Sequence, residues 1–114
     1  ALVRIPRPFA AVILGMGDDG HFASLFPGMP GLAAALNPSQ TANVVEGIAP
    51  CEPKARLSLT LPVLLDTDLL ALHVTGESKL ATLQRASAPG SAIEMPVRAL
   101  LEQRRVPLKI YHAP

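Results

Sequence analysis

The chain alternates between short apolar runs and segments with helical spacing. Ala10–Leu14 (AAVIL) is a continuous apolar run closed by glycine, which predicts a strand buried on both faces. The Pro- and Gly-rich stretch that follows leaves room for one short helix between Pro30 and Asn37. Arg56–Leu61 (RLSLTL) alternates polar and apolar residues with period two and predicts a strand. Pro62–Asp66 follows a Thr and opens on Pro, the composition of a first helical turn. Leu69–Gly76 (LLALHVTG) is a second apolar strand ending in glycine. Glu77–Ala88 carries Leu80 and Leu83 at helical spacing, with Gly90 beyond its end. Met95–Arg105 predicts another helix, opened by Pro96, and Val106–His112 closes the chain as a strand. Strands separated by helices predict an α/β fold of Rossmann-like type, a mainly parallel sheet with covering helices.

Composition limits what such a fold can be. The 114 residues are 49% hydrophobic and 17% charged, the balance of one soluble globular domain spanning 1–114. A net charge of +1 with no basic tract argues against nucleic acid or a membrane surface as partner. No apolar run reaches the roughly 18 residues needed to span a bilayer, and no Lys- or Arg-led signal segment opens the chain. Cys51 is the single cysteine, so no internal disulfide can form, which suits a reducing cytoplasm. The first predicted strand begins almost at the start with nothing before it to pack beside. We therefore expect the chain to be the C-terminal part of a larger domain.

Gly15, Gly17 and Gly20 spell G-x-G-x-x-G directly after the first strand, the form of a dinucleotide-binding turn. That turn needs a long helix after its third glycine and an acid about 20 residues on. Pro27 limits any helix starting near Gly20, and the window from Ala33 to Gln40 holds no acid. Asp18 and Asp19 would also set carboxylates beside a polyanion. The context argues against a nucleotide.

The same turn delivers Asp19, Gly20 and His21 to the carboxyl edge of the sheet, where α/β proteins place their sites. A His with a carboxylate two residues away suits general acid or base catalysis, because imidazole titrates near neutrality and the carboxylate can orient it. The residues allow a plainer reading too, in which Asp18 or Asp19 caps a short helix and His21 sits on its exposed first turn. Spacing alone leaves both open. The three histidines lack ligand spacing and a Cys or Glu partner, so no metal site is expected. His73, inside an apolar strand, reads as a core residue, and Arg85, Arg98, Arg104 and Arg105 read as exposed helix charges.

The stretch LGMGDDGHFASLFPG (Leu14–Gly28) resembles the motif of the 6-phosphogluconolactonases, sugar-lactone esterases of the oxidative pentose phosphate pathway. ARLSLTLPVLL resembles that family's Arg-bearing strand and short helix. LLALHVTGESKLATLQRA resembles its strand, turn and Lys-bearing helix, and VPLKIYHAP its last strand. The resemblance runs over nearly the whole chain. It implies hydrolysis of 6-phospho-D-glucono-1,5-lactone to 6-phosphogluconate without metal or cofactor. His21 would be the base, Asp19 its orienting group, and backbone amides around Gly15 to Gly17 the oxyanion donors. Arg56 and Lys79 match positions that line the phosphate pocket; taken alone, either would read as a solvated surface charge.

Family members are longer, and their other half contributes a Gly/Ser/Thr phosphate loop and an Asp-Glu-Arg motif. Neither occurs here, which implies that a missing N-terminal half is a partner and that this piece alone has little activity. Two alternatives stay open. One is a non-catalytic phosphosugar-binding module. The other is a glucosamine-6-phosphate deaminase, whose similar motif carries a Glu five residues after the His; this chain has Phe26 there, which transfers no proton.

Overall fold

The computed structural model of the chain describes residues 5–114. Strands β1 (Val12–Leu14), β4 (Leu70–Thr75) and β5 (Leu108–Ala113) form a parallel sheet in the order β1-β4-β5. Central β4 pairs on both edges, Leu72 standing opposite Leu14 on one side and Ile110 on the other. Helices α3 (Glu77–Ser87) and α4 (Val97–Glu102) pack beside each other, and Leu83, Ala86, Val97 and Leu100 join Leu14, Leu70, Leu72 and Val74 in one core. Burying an aliphatic side chain of this size contributes about 1.5–3 kcal/mol, so this face holds the sheet to its helices.

The other face of the sheet is largely exposed among the described residues, with only the small Ala71 buried on it. Paired positions share a face and alternate along each strand, which puts Ile13, His73 and Tyr111 together. Ile13 is 69% and Tyr111 52% exposed, and His73 is exposed with them. This corrects the core reading of His73: the strand is buried, but its alternation turns this side chain outward.

The Arg-bearing strand belongs to a different sheet. Strands β2 (Val44–Ile48) and β3 (Ala55–Leu59) pair antiparallel, with Gly47 opposite Arg56. Helix α2 (Leu61–Leu65) follows, entered through Thr60, whose hydroxyl donates to Ala42 O at 2.8 Å. The short helix expected between Pro30 and Asn37 is α1 (Leu32–Ala35). No regular helix occurs between Gly20 and Gly31. No helix among the described residues is long and apolar enough to cross a membrane.

Arg98 is corrected as well. Only 7% exposed, it donates to Ala86 O, Arg85 O and Ser91 O at 3.2 Å each, so its guanidinium closes the carboxyl end of α3. The last carbonyls of a helix lack intrahelical partners, and a cation is well suited to them.

Candidate active site

The segment from Gly15 to Phe26 leaves the carboxyl end of β1 and is held from several sides. Phe22 and Leu25, fully buried, anchor it in the core. The Val97 amide of α4 donates to Gly20 O at 2.8 Å. From the hairpin, Ser58 Oγ accepts the Ser24 amide at 3.2 Å, and Gly47 lies so close to Ser24 O that a β-carbon there would overlap it. Gly20 has φ +86°, the left-handed region that glycine enters without strain.

Within this segment Gly17 N–H donates to His21 O at 2.9 Å and Gly20 N–H to Gly17 O at 3.0 Å, forming a tight turn. One carboxylate oxygen, Asp19 Oδ1, lies 3.0 Å from the His21 amide and 2.6 Å from His21 Nδ1. Burial pushes the Asp19 carboxyl up, but hydrogen bonds from the His21 amide and ring, with the imidazole's charge, outweigh it and leave the group below the usual carboxylate range. An ionised carboxylate only accepts, so the nitrogen facing Asp19, Nδ1, carries a proton. The Phe26 ring packs against the imidazole with centroids 4.5 Å apart and planes tilted by 36°.

The structure separates the two neighbouring acids. Asp19 holds the imidazole, whereas Asp18 faces α3, its Oδ1 3.4 Å from Lys79 Nζ. Lys79 stands in the first turn of α3 after Gly76, beside the end of β1. Together with Ile13, Gly15, Gly17 and His21 it lines an open cleft of about 530 Å³. Gly15 borders open space, but the Gly17 amide is already bonded to the His21 carbonyl, which removes it from the oxyanion donors expected between Gly15 and Gly17.

Arg56 does not line this cleft. Its Nε donates to Pro53 O at 2.8 Å, and its guanidinium carbon stands 6.0 Å from the centre of the Phe26 ring. Its link to His21 runs through that ring. Two further residues of α3 reach Asp18: Thr82, which the sequence did not mark, and Arg85, which reads from the sequence as an exposed helix charge and bonds Asp18 O from the surface. Three-residue steps from Lys79 were the available signal, since 79, 82 and 85 share one helical face.

Residues 2–108 match the family model of glucosamine-6-phosphate isomerases/6-phosphogluconolactonase. The chain belongs to that family. A 6-phosphogluconolactonase of Pseudomonas putida is 46% identical over 114 residues, which cover 100% of this chain and 46% of the relative. One from Rhizobium meliloti is 43% identical over 107 residues, 94% of this chain and 46% of the relative. Among solved structures, a 6-phosphogluconolactonase from Shewanella baltica superimposes with a TM-score of 0.91 at 35% identity, covering 99% of this chain and 48% of that one. A monomeric glucosamine-6-phosphate deaminase, with a TM-score of 0.64 at 17% identity, shares the fold alone. The chain thus spans about half the length of the 6-phosphogluconolactonases it matches.

Proposed function

We propose that this chain carries the base and a phosphate-binding cation of a 6-phosphogluconolactonase, with 6-phospho-D-glucono-1,5-lactone as substrate. The observation that carries the reading is His21, paired with Asp19 at 2.6 Å, lining one cleft with Lys79. His21 Nε2 takes a proton from a water as the water oxygen attacks the C1 carbonyl. Backbone N–H groups of Gly15 and Met16 are the candidates to meet the oxyanion. When the tetrahedral intermediate collapses, the bond from C1 to the ring oxygen breaks, and the proton held by His21 passes to that oxygen. Water, base and acid account for every atom, and the step uses no metal or cofactor. Such acid–base catalysis contributes about 10² to 10⁴ in rate.

Lys79 Nζ would exchange the Asp18 carboxylate for the substrate phosphate, aided by amides at the start of α3. Arg56 is proposed as a second phosphate contact, approaching over Phe26. Phe26 also favours the lactonase over the deaminase, since a phenyl ring transfers no proton. The same reading places the protein in the cytoplasm, which suits its single cysteine, free and exposed. We further propose that the groups absent from this chain, the phosphate loop and Asp-Glu-Arg motif of the family, belong to an N-terminal half that completes the pocket.

The test is lactone opening, corrected for spontaneous hydrolysis, by this chain alone and by the chain fused to the remaining half of the Pseudomonas putida relative. We expect strong turnover in the fusion that His21→Ala lowers by orders of magnitude while phosphosugar binding survives. Binding without turnover in both forms would leave a phosphosugar-binding module instead. Turnover indifferent to His21→Ala would overturn the assignment of the base.

A further inference from the structure

The residue before Asp19 is gripped by α3 at three points. Thr82 Oγ lies 3.0 Å from Asp18 O, Arg85 Nη2 lies 3.4 Å from the same oxygen, and Lys79 Nζ lies 3.4 Å from the Asp18 carboxylate. Thr82 is 1% exposed, so water does not compete for its hydroxyl. That hydroxyl has one proton and two carbonyls at 3.0 Å, Asp18 O and Ser78 O. It also accepts from Arg85 Nη2 at 3.1 Å. The bond to Ser78 is the ordinary back-bond of a helical Thr. The contact to Asp18 crosses from the helix to the site.

We propose that Thr82, braced by Arg85, is a positioning residue for the Asp19–His21 pair. Fixing the Asp18 carbonyl fixes the peptide plane from which Asp19 departs, and hence the direction of the carboxylate that holds the imidazole. Lys79 lies one helical turn before Thr82, so one rigid helix sets the spacing between the proposed base and the proposed phosphate cation. Hydrogen-bonded bracing of this kind is how a base is kept near attack geometry, where a displacement of about 1 Å can cost about a hundredfold in rate. The kinetic part of this proposal rests on the lactonase reading; the structural part does not.

The experiment compares Thr82→Val with Thr82→Ser. Val keeps the shape and removes the hydroxyl, whereas Ser keeps the hydroxyl. In the active fusion, Val should lower kcat about tenfold, a partial misplacement, with KM changed less than about twofold, and Ser should restore most of kcat. In the chain alone, proton NMR should show the His21 Nδ1 proton far downfield, as expected of a short bond to a carboxylate. That resonance should persist in Ser and disappear in Val. If Val unfolds, Arg85→Met, on the exposed side of the clamp, should weaken the same resonance in a folded protein. An unchanged resonance in the folded variants, or a Ser variant as impaired as Val, would overturn the proposal. Absence of lactonase turnover in the parent fusion would count against the function alone, since the NMR comparison would still decide the bracing.

Discussion

Gly17 and the His21 imidazole compete for one space. A β-carbon on Gly17 would overlap the ring at Cε1 and Nδ1 and stand 2.8 Å from Asp19 Oδ1. The absent side chain is therefore what lets the ring lie back against the turn and meet its carboxylate.

Gly17→Ala should expel the ring from this position. The expected result is a folded protein whose kcat in the active fusion falls about a hundredfold, the scale of a 1 Å misplacement. Circular dichroism checks the fold, and loss of the downfield His21 proton checks the cause. Normal turnover would show that the ring need not lie where it is seen.

Charge recognition can be read by calorimetry. Lys79→Ala and Arg56→Ala should each weaken 6-phosphogluconate much more than unphosphorylated gluconate, by about 1.5–3 kcal/mol for a lost charge-assisted contact. The Lys79 loss should be the larger, because Lys79 shares the cleft with His21 and Arg56 does not. Equal losses for both ligands would remove these residues from the phosphate site.

Arg98→Met should destabilise the fold by about 2–4 kcal/mol, since three carbonyls lose a charged donor in a buried place. Gly90→Ala should act in the same direction, because its β-carbon would fall on the guanidinium. Urea denaturation midpoints provide the measurement. A midpoint unchanged in Arg98→Met would mean that the carbonyls are satisfied without it.

Acid should erase the contribution of Asp19. Its folded carboxyl lies below the ordinary value, so the pair stabilises the fold above the unfolded pKa of about 3.9 and loses that effect as pH falls through the folded value. Asp19→Asn should therefore melt below the parent at pH 6 and converge with it in strong acid. A gap that stays constant with pH would mean that the Asn change acts through packing instead of charge.

Much of the fold was legible because β4, α3, α4 and β5 follow their own periods closely. The first strand of the hairpin was not. Val44–Ile48 carries Glu46 and Gly47 in its middle, so it breaks the apolar pattern that marks a strand, although Gly47 is there to clear Ser24. The alternation around Arg56 predicts a sheet wet on its polar face, and the structure reverses it: Leu57 is 77% exposed, whereas Ser58 and Thr60 are buried. The Asp19–His21 contact was legible from the spacing; the different partners of Asp18 and Asp19 were not, because they depend on the helix that docks against one of them. Arg98 looked like surface charge since its partners are backbone carbonyls, which sequence does not distinguish.

The grip on the turn has a consequence for how the site comes into being. Ser58 reaches Ser24 across 34 positions, and Thr82 reaches Asp18 across 64. None of these tethers exists until the hairpin, α3 and α4 have docked, and bringing such distant partners together is the slow part of folding. The site should then open only when the domain as a whole opens, so the Gly17 amide should exchange with solvent at the global unfolding rate and not at that of a surface loop. A peptide of residues 14–28 would contain the whole motif and none of these tethers.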